Sequence, residues 1–175
     1  MKTFAYTLTV TLTLALSCAA TTVNPMIALD KRVEIADHIF IGKVVRIRAV
    51  DDQGNDVTNT TVNVAGKKVF VRVTVEPEEI ISSPLKTFPK LIEVDENYHW
   101  GDPHDAPEMI AFESNRLLAK KWIFLLKGDR FESVYTGYFV APLEQKEDVV
   151  KLIKEKQAAK ISAQPKPDGD GKPAP

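Results

Sequence analysis

The sequence of 175 residues contains one cysteine, Cys18, close to its N-terminus. An intramolecular disulfide needs two cysteines, so the fold must rely on its hydrophobic core, which a domain of this size can supply. Acidic and basic residues nearly balance, at 24 and 23. No basic excess is therefore available to neutralise a phosphate backbone. These absences predict a domain without disulfides and without a nucleic-acid partner.

The sequence also lacks the common catalytic motifs. No serine lies in a nucleophile elbow and there is no glycine-rich phosphate loop. Asp37 and His38 are neighbours, but adjacent residues of a strand point to opposite faces of the sheet. This argues against a catalytic pair and favours a histidine at the strand boundary. We therefore predict that the protein is not an enzyme, and a hydrolase with an unrecognised site is the alternative.

Residues 1–20 have the pattern of a secretory signal peptide. Lys2 supplies a positive charge, residues 4–16 carry no charge, and small residues follow. The uncharged run is shorter than the roughly 20 apolar residues that a membrane-spanning helix needs. We therefore expect an exported protein, in a bacterial periplasm or secreted. The lack of further cysteines favours the periplasm over an animal extracellular space.

Cys18 has two possible fates under this prediction. Cleavage after Ala19 or Ala20 removes it and leaves 22 basic and 24 acidic residues. Alternatively, the stretch Ala-Leu-Ser-Cys at 15–18 resembles a bacterial lipoprotein signal, in which the cysteine becomes a lipidated N-terminus. A membrane is an expected partner only in the second case.

The remaining chain divides into a domain at residues 24–163 and a tail at 164–175. The tail holds four prolines, two glycines and no large apolar residue. Such a segment cannot bury enough apolar surface to offset the entropy of ordering it. We therefore predict a disordered Pro/Gly-rich tail.

The domain has a mainly β pattern organised around residues 36–50, a long predicted strand with Gly42 near its middle. A glycine inside a strand often marks a bulge or a sharp bend. The next strand, residues 68–76, alternates regularly, and Pro77 is predicted to end it. Further strands are predicted at 91–95, 121–126 and 131–140 (with Gly128-Asp129 as a two-residue turn and Gly137 as a second bend), and helices at 26–36 and 142–161, with one or two helical turns within 109–119.

Two segments carry a resemblance to a known family. Residues 36–44, ADHIFIGKV, resemble the opening motif A-D-x-V-x-x-G-K-V of netrin-like domains, which include the tissue inhibitors of metalloproteinases and uncharacterised bacterial relatives. Residues 120–126, KKWIFLL, are similar to the late strand x-K-x-Y-L-V-F-L of those domains. The resemblance implies a five-stranded OB-like β-barrel, here with a short N-terminal helix and a C-terminal helix.

The resemblance does not carry inhibition of metalloproteinases with it. Those inhibitors chelate the zinc of their target through a mature N-terminal cysteine that disulfides hold in place. Cys18 has no partner cysteine, and it is either lipidated or removed. The family therefore implies the fold and not the inhibitory activity.

The candidate site is the loop at residues 95–108, which contains two histidines and five carboxylates. Long loops in compact domains are often functional. Tyr98 and Trp100 are aromatic side chains of the kind that anchor protein partners. We therefore predict a non-enzymatic binding or structural module of the cell envelope that contacts a protein or envelope component through this loop. Burial of both aromatic side chains under the barrel is an equal alternative.

The same loop allows a metal-binding alternative. Imidazole together with carboxylate suits zinc or another divalent transition metal. The histidines match no recognised ligand spacing, so an acidic solvated loop is the competing interpretation, and no cofactor is otherwise expected. The candidate metal ligands are His99, His104, Asp102 and Asp105.

Overall fold

The computed structural model describes residues 27–58, 69–96 and 106–162. The predicted signal peptide at 1–20 and the predicted tail at 164–175 lie outside the described residues. In chain order the elements are α1 (Leu29–Ile35), β1 (His38–Asp51), β2 (Val69–Ser82), β3 (Ile92–Glu96), α2 (Ala106–Leu117), β4 (Lys121–Lys127), β5 (Glu132–Ser133), β6 (Val140–Pro142), a 3₁₀ turn (Leu143–Gln145) and α3 (Lys146–Ser162).

The strands form one six-stranded antiparallel sheet, which confirms the mainly β class but not the predicted count of five strands. Their order is β3-β2-β1-β4-β5, and β6 also pairs with β4. Among the described residues no ladder joins β3 to β5, so hydrogen-bonded strands do not close the sheet. The two edges nevertheless come close together, and the Gly137 N–H donates a hydrogen bond to Glu96 Oε2 at 2.7 Å.

β1 is the centre of the sheet, because it pairs with β2 along its length and with β4 over residues 38–43. Residues 38–42 are all buried, whereas exposed positions begin at Lys43. The register with β2 shifts between Ile41 and Gly42, so the predicted irregularity at Gly42 is confirmed. A Cβ atom on Gly42 would lie 2.7 Å from Glu76 O, so only glycine allows the two backbones this approach.

The predicted end of β2 at Pro77 is wrong, since the strand continues to Ser82. The pairing with β3 extends only to Val75, opposite Ile92, whereas β1 continues to pair with β2 beyond Pro77. Pro77 thus lies where β2 has a strand on one side only. Proline has no N–H to donate to a neighbouring strand. It is tolerated at this position because, among the described residues, no strand pairs with that edge of β2.

The predicted last strand at 131–140 is also wrong, because the chain forms two short strands there, β5 and β6. A turn separates them, with Gly137 at φ 76° and the Tyr138 N–H bonded to Tyr135 O at 2.9 Å. The connection from β4 to β5 has four residues, Gly128 to Phe131, and not the two predicted. Phe131 lies in this connection at φ 55°, outside the extended region of a strand, and the centre of its ring is 4.6 Å from that of His38.

Two apolar clusters pack on the two faces of the sheet. Phe40 and Phe124 stack at 5.2 Å in the first cluster, which α2 covers through Leu117. Ile39 and Ile123 belong to the second cluster, which α1 and α3 cover. Consecutive residues of β1 and β4 thus serve different clusters, as the period of a strand requires. This explains why residues 121–126 are apolar on both faces.

The helices match the predicted elements with shifted ends. The predicted helix at 142–161 begins as a 3₁₀ turn and continues as α3, with Val149 and Ile153 as its buried stripe. Lys156 of α3 donates to the carbonyls of Val33 and Ala36 at 3.2 and 3.0 Å, at the C-terminal end of α1. These bonds supply partners to carbonyls that a helix end leaves unpaired.

In the part of the chain that the structure describes, no helix combines the length and the apolarity needed to cross a bilayer.

Gly42→Ala should destabilise the fold by about 1–3 kcal/mol, because the added methyl group would press on Glu76 O and Val75. The measurement is the free energy of unfolding from urea titration with the full chain. Lys43→Ala on the same strand is the control, since its ion pair with Glu76 is half-exposed and should contribute little to stability. Equal stability of the two variants would contradict the close-approach argument.

Candidate functional site

The six residues predicted from the loop fall outside the described residues. They are Tyr98, His99, Trp100, Asp102, His104 and Asp105. The predicted bounds of the loop, 95–108, are wrong at both ends, because Asp95 and Glu96 belong to β3 and residues 106–108 belong to α2. Residues 97–105 lie between these two elements, outside the described residues. The two residues that flank them, Glu96 and Ala106, are buried. The described residues contain no group of three or more His, Cys, Asp or Glu side chains that could hold a metal ion, so zinc binding by the loop stays a prediction.

A cleft of about 480 Å³ lies between the free edges of the sheet. One wall is β3, with Glu93, Asp95 and Glu96, and the other is the segment from Arg130 to Thr136. The cleft therefore opens beside the point where the predicted binding loop leaves the sheet. The structure brings together here two edges that are more than thirty residues apart in the chain.

Glu96 is the unusual residue of this cleft, because its side chain is 1% exposed. Along β3, Ile92, Val94 and Glu96 are buried while Glu93 and Asp95 are exposed. The carboxyl group of Glu96 thus occupies a position that the strand period reserves for a core residue. In the sequence, Glu96 is one of five acids of the predicted loop and is not singled out. The signal for its burial is the alternation along β3, in which it follows Ile92 and Val94 at a spacing of two residues.

The two oxygens of Glu96 have different environments. Oε2 accepts the Gly137 N–H at 2.7 Å. Oε1 is buried and has no hydrogen-bond partner among the described residues. The Ser133 hydroxyl lies close enough to lower the pKa of Glu96, but its hydrogen bond is made to Tyr135 O at 2.6 Å. Within the described residues, Oε1 of this buried carboxyl group therefore has no donor.

Burial raises the pKa of Glu96 from its ordinary 4.5 to about 7. Desolvation disfavours the charged form, and the bonded Gly137 amide and the nearby Ser133 hydroxyl offset only part of this effect. From α2, Glu113 raises the same pKa and Arg116 lowers it. Glu113 and Arg116 form an ion pair of 2.6 Å with each other, so their fields at Glu96 oppose each other.

The other two acids of β3 are already engaged by arginines of the neighbouring strands. Arg72 of β2 binds Asp95 in a bidentate pair at 2.6 and 2.7 Å. Arg48 of β1 binds Glu93 at 2.8 Å, and Arg72 approaches Glu93 at 3.3 Å. These charges form a network across three strands on the outer face. Among the acids of β3, Glu96 is therefore the one without a cationic partner in the described chain.

His38 and Asp37 have separate partners, as opposite strand faces require. His38 is 1% exposed and lies between the rings of Phe88 and Phe131. Its Nδ1 is 2.9 Å from Ser83 Oγ. Asp37 instead accepts the Gly128 N–H at 2.8 Å. The expected boundary histidine is confirmed, since His38 is the first residue of β1. Its ring also belongs to an aromatic cluster with Phe88 and Phe131.

Comparison of the chain with known protein families and with characterised proteins gave no matching family model and no matching protein.

Glu96→Gln should remove a pH dependence of stability between pH 4.5 and about 7. Over this range Glu96 has released its proton in the unfolded chain but retains it in the folded chain. The contribution of Glu96 to stability is therefore fully present below pH 4.5 and is lost as the pH rises through about 7. The shift corresponds to about 3 kcal/mol, so the variant should gain up to that amount relative to the parent at pH 8.

The measurement is the free energy of unfolding from urea titration at a series of pH values. The difference in this free energy between variant and parent is then plotted against pH. Glu144→Gln, which removes an exposed carboxylate from the 3₁₀ turn, is the matched control and should leave the slope unchanged. A flat difference curve for Glu96→Gln would contradict the assignment of the shift to Glu96.

For the metal alternative, one zinc ion per chain should bind with measurable heat and raise the melting temperature, because a bound ion stabilises the folded state. Replacing His99 and His104 by alanine should abolish both effects. Alanine at His38, which is buried in the aromatic cluster, is a control for loss of a histidine elsewhere. Calorimetry without heat of zinc binding to the parent protein would eliminate the metal site.

Proposed function

We propose that this chain is an exported, non-enzymatic binding module of the cell envelope that contacts a protein partner at the β3–β5 cleft and the adjoining 97–105 loop. The observation that carries the proposal is the buried Glu96 carboxyl group, whose Oε1 has no hydrogen-bond partner in the described chain. Buried polar atoms are almost always satisfied, and an exception in a cleft is typical of a site that a ligand completes.

The proposal includes an OB-like barrel as the scaffold. Its support is the strand order, in which β1 lies between β2 and β4 and the sheet ends in β3 and β5. The Gly137–Glu96 hydrogen bond links the two edges at 2.7 Å. Helix α2 connects β3 to β4 and covers the first core cluster. An OB-like barrel with β3 facing β5, to which β6 adds a sixth strand beside β4, accounts for these features together.

A relationship to netrin-like domains belongs to the same proposal. The two segments that carry the resemblance are the first half of β1 and β4, and these strands pair with each other. Gly42 of the first motif lies opposite Trp122 of the second. The two motifs, although distant in the chain, thus form adjacent strands of the sheet. This pairing supports the proposal that the chain shares its scaffold with netrin-like domains.

Export is proposed from the signal pattern at residues 1–20, and attachment to a membrane from the alternative fate of Cys18. The near balance of charge supports a protein or envelope component as the partner, since a nucleic acid would need a basic surface. A partner held by Tyr98 and Trp100 would bury two amphipathic aromatic side chains, which are frequent hot spots of protein interfaces.

The double variant Tyr98→Ala/Trp100→Ala should weaken partner binding by about tenfold or more, because such anchors commonly contribute over 1 kcal/mol each. The assay is quantitative capture of envelope proteins by the immobilised chain, with mass spectrometry of the bound fraction. Phe112→Ala is the matched control, since it removes a 66% exposed aromatic side chain from α2. An identical set of bound proteins for parent and double variant would reject the loop as the contact surface.

A further inference from the structure

We propose that the β3–β5 cleft binds a lysine or arginine side chain of the protein partner, and that the Glu96 carboxylate accepts its hydrogen bonds. This inference rests on the proposed protein-binding function and adds the chemistry of the group that the partner inserts.

The first argument is the unsatisfied oxygen. Glu96 is 1% exposed and lines the cleft, and its Oε1 has no partner among the described residues. A buried acceptor without a donor is costly, and a donor that enters from the cleft would remove this cost. Gly137 already donates to Oε2, so Oε1 is the oxygen to which the group from the partner would donate.

The second argument is charge. Arg48 and Arg72 engage Glu93 and Asp95 on the outer face, and Arg116 pairs with Glu113. Within the described ranges no lysine or arginine is bonded to Glu96. A buried carboxylate is stable when a cation is paired with it, and ammonium and guanidinium groups both give charge-assisted hydrogen bonds. An organic cation would therefore give Glu96 the charged hydrogen-bond partner that the described chain does not provide.

The third argument separates an organic cation from a metal ion. Divalent ions need several oxygen or nitrogen ligands at short range. No cluster of three or more potential ligand side chains occurs in the described residues, and Asp95 is held by Arg72. One carboxylate with a neighbouring hydroxyl, from Ser133 or Thr136, suits an ammonium or guanidinium group better.

The shape of the cleft agrees with a long basic side chain. Its volume of about 480 Å³ lies within the range of roughly 300–1,000 Å³ for ligand pockets. Phe131 contributes an aromatic wall, and the methylene stem of lysine or arginine packs well on such a surface. The stem would thus be buried while the charged head reaches Glu96.

Binding of a cation must be coupled to the protonation of Glu96. Because burial raises its pKa to about 7, the ionised form that a cation needs is depleted below that pH. Affinity should fall by about tenfold for each pH unit below 7 and level off above it. The charged groups that act on Glu96 from α2 are Glu113 and Arg116. Arg130 and Glu132 line the opposite wall of the cleft, and Glu93 and Asp95 line its rim from the outer face of β3.

The test is a titration of the isotope-labelled full chain with N-acetyl-lysine methylamide and N-acetyl-arginine methylamide, followed by NMR. The amide of Gly137, which is bonded to Glu96, should shift in a saturable manner. N-acetyl-norleucine methylamide, which has a similar stem and no charge, should not produce the shift. Saturation by the neutral probe, or by none of the three, would overturn the proposal.

Two variants test the assigned group in opposite directions. Glu96→Gln should weaken binding of the charged probes by about tenfold or more, since it removes the charge of the acceptor. Arg130→Gln should strengthen binding by up to a few fold, because Arg130 is a cation in the same cleft. Glu144→Gln, remote from the cleft, should change nothing. Unchanged affinity in both cleft variants would show that the probes bind elsewhere.

The outcome is separable from that of the proposed function. If the double alanine variant of Tyr98 and Trp100 loses its partner while the charged probes fail to bind, the protein-binding function stands and the cation inference fails. If the probes bind through Glu96 while the double variant retains every partner, the cation site stands and the loop is rejected as the contact surface.

Discussion

The pairing of β1 with both of its neighbours is the constraint on which the rest of the structure depends. β2 and β4 can flank the first half of β1 only if the backbones approach closely, and Gly42 permits this because a Cβ atom there would lie 2.7 Å from Glu76 O. Because adjacent residues of a strand point to opposite faces, Phe40 and Ile39 of β1 enter different apolar clusters. The helices then cover the clusters that this strand has created.

The same sheet leaves two edges that are near each other and not joined by a ladder in the described chain. Glu96 bridges them through one oxygen, at the position where the strand period would favour an apolar side chain. Burial of a carboxyl group is unfavourable unless it is paired, so this residue is a poor choice for stability alone. In the proposed function its value lies in the cleft, which this ionisable acceptor lines.

Charge is distributed unevenly between the surfaces of β3. On the outer face, Arg48 and Arg72 hold Glu93 and Asp95 in an ion network that crosses three strands. On the inner face, Glu96 has no such cation in the described chain. The network keeps both arginines away from Glu96, since they are bonded on the opposite side of the strand. In the proposed cation site, these two arginines therefore do not compete with the basic side chain of a partner.

The sequence by itself determined the elements whose signal is local. The alternation in residues 68–76 and the apolar run at 121–126 predict β2 and β4, because periodicity follows directly from strand geometry. The helix predicted at 142–161 corresponds to α3, whose buried residues in the structure are Val149 and Ile153. The irregularity at Gly42 was predictable for the same reason, since a glycine within a strand has few other uses.

Only the tertiary structure decided the features that depend on neighbours. Pro77 does not end β2 because β3 stops before it, and the last predicted strand divides because Gly137 turns where its amide meets Glu96. The unsatisfied oxygen of Glu96 likewise exists only because β3 and the 130–136 segment meet in space. Local periodicity indicates which face a side chain occupies, whereas its partners are set by contacts between segments distant in the chain.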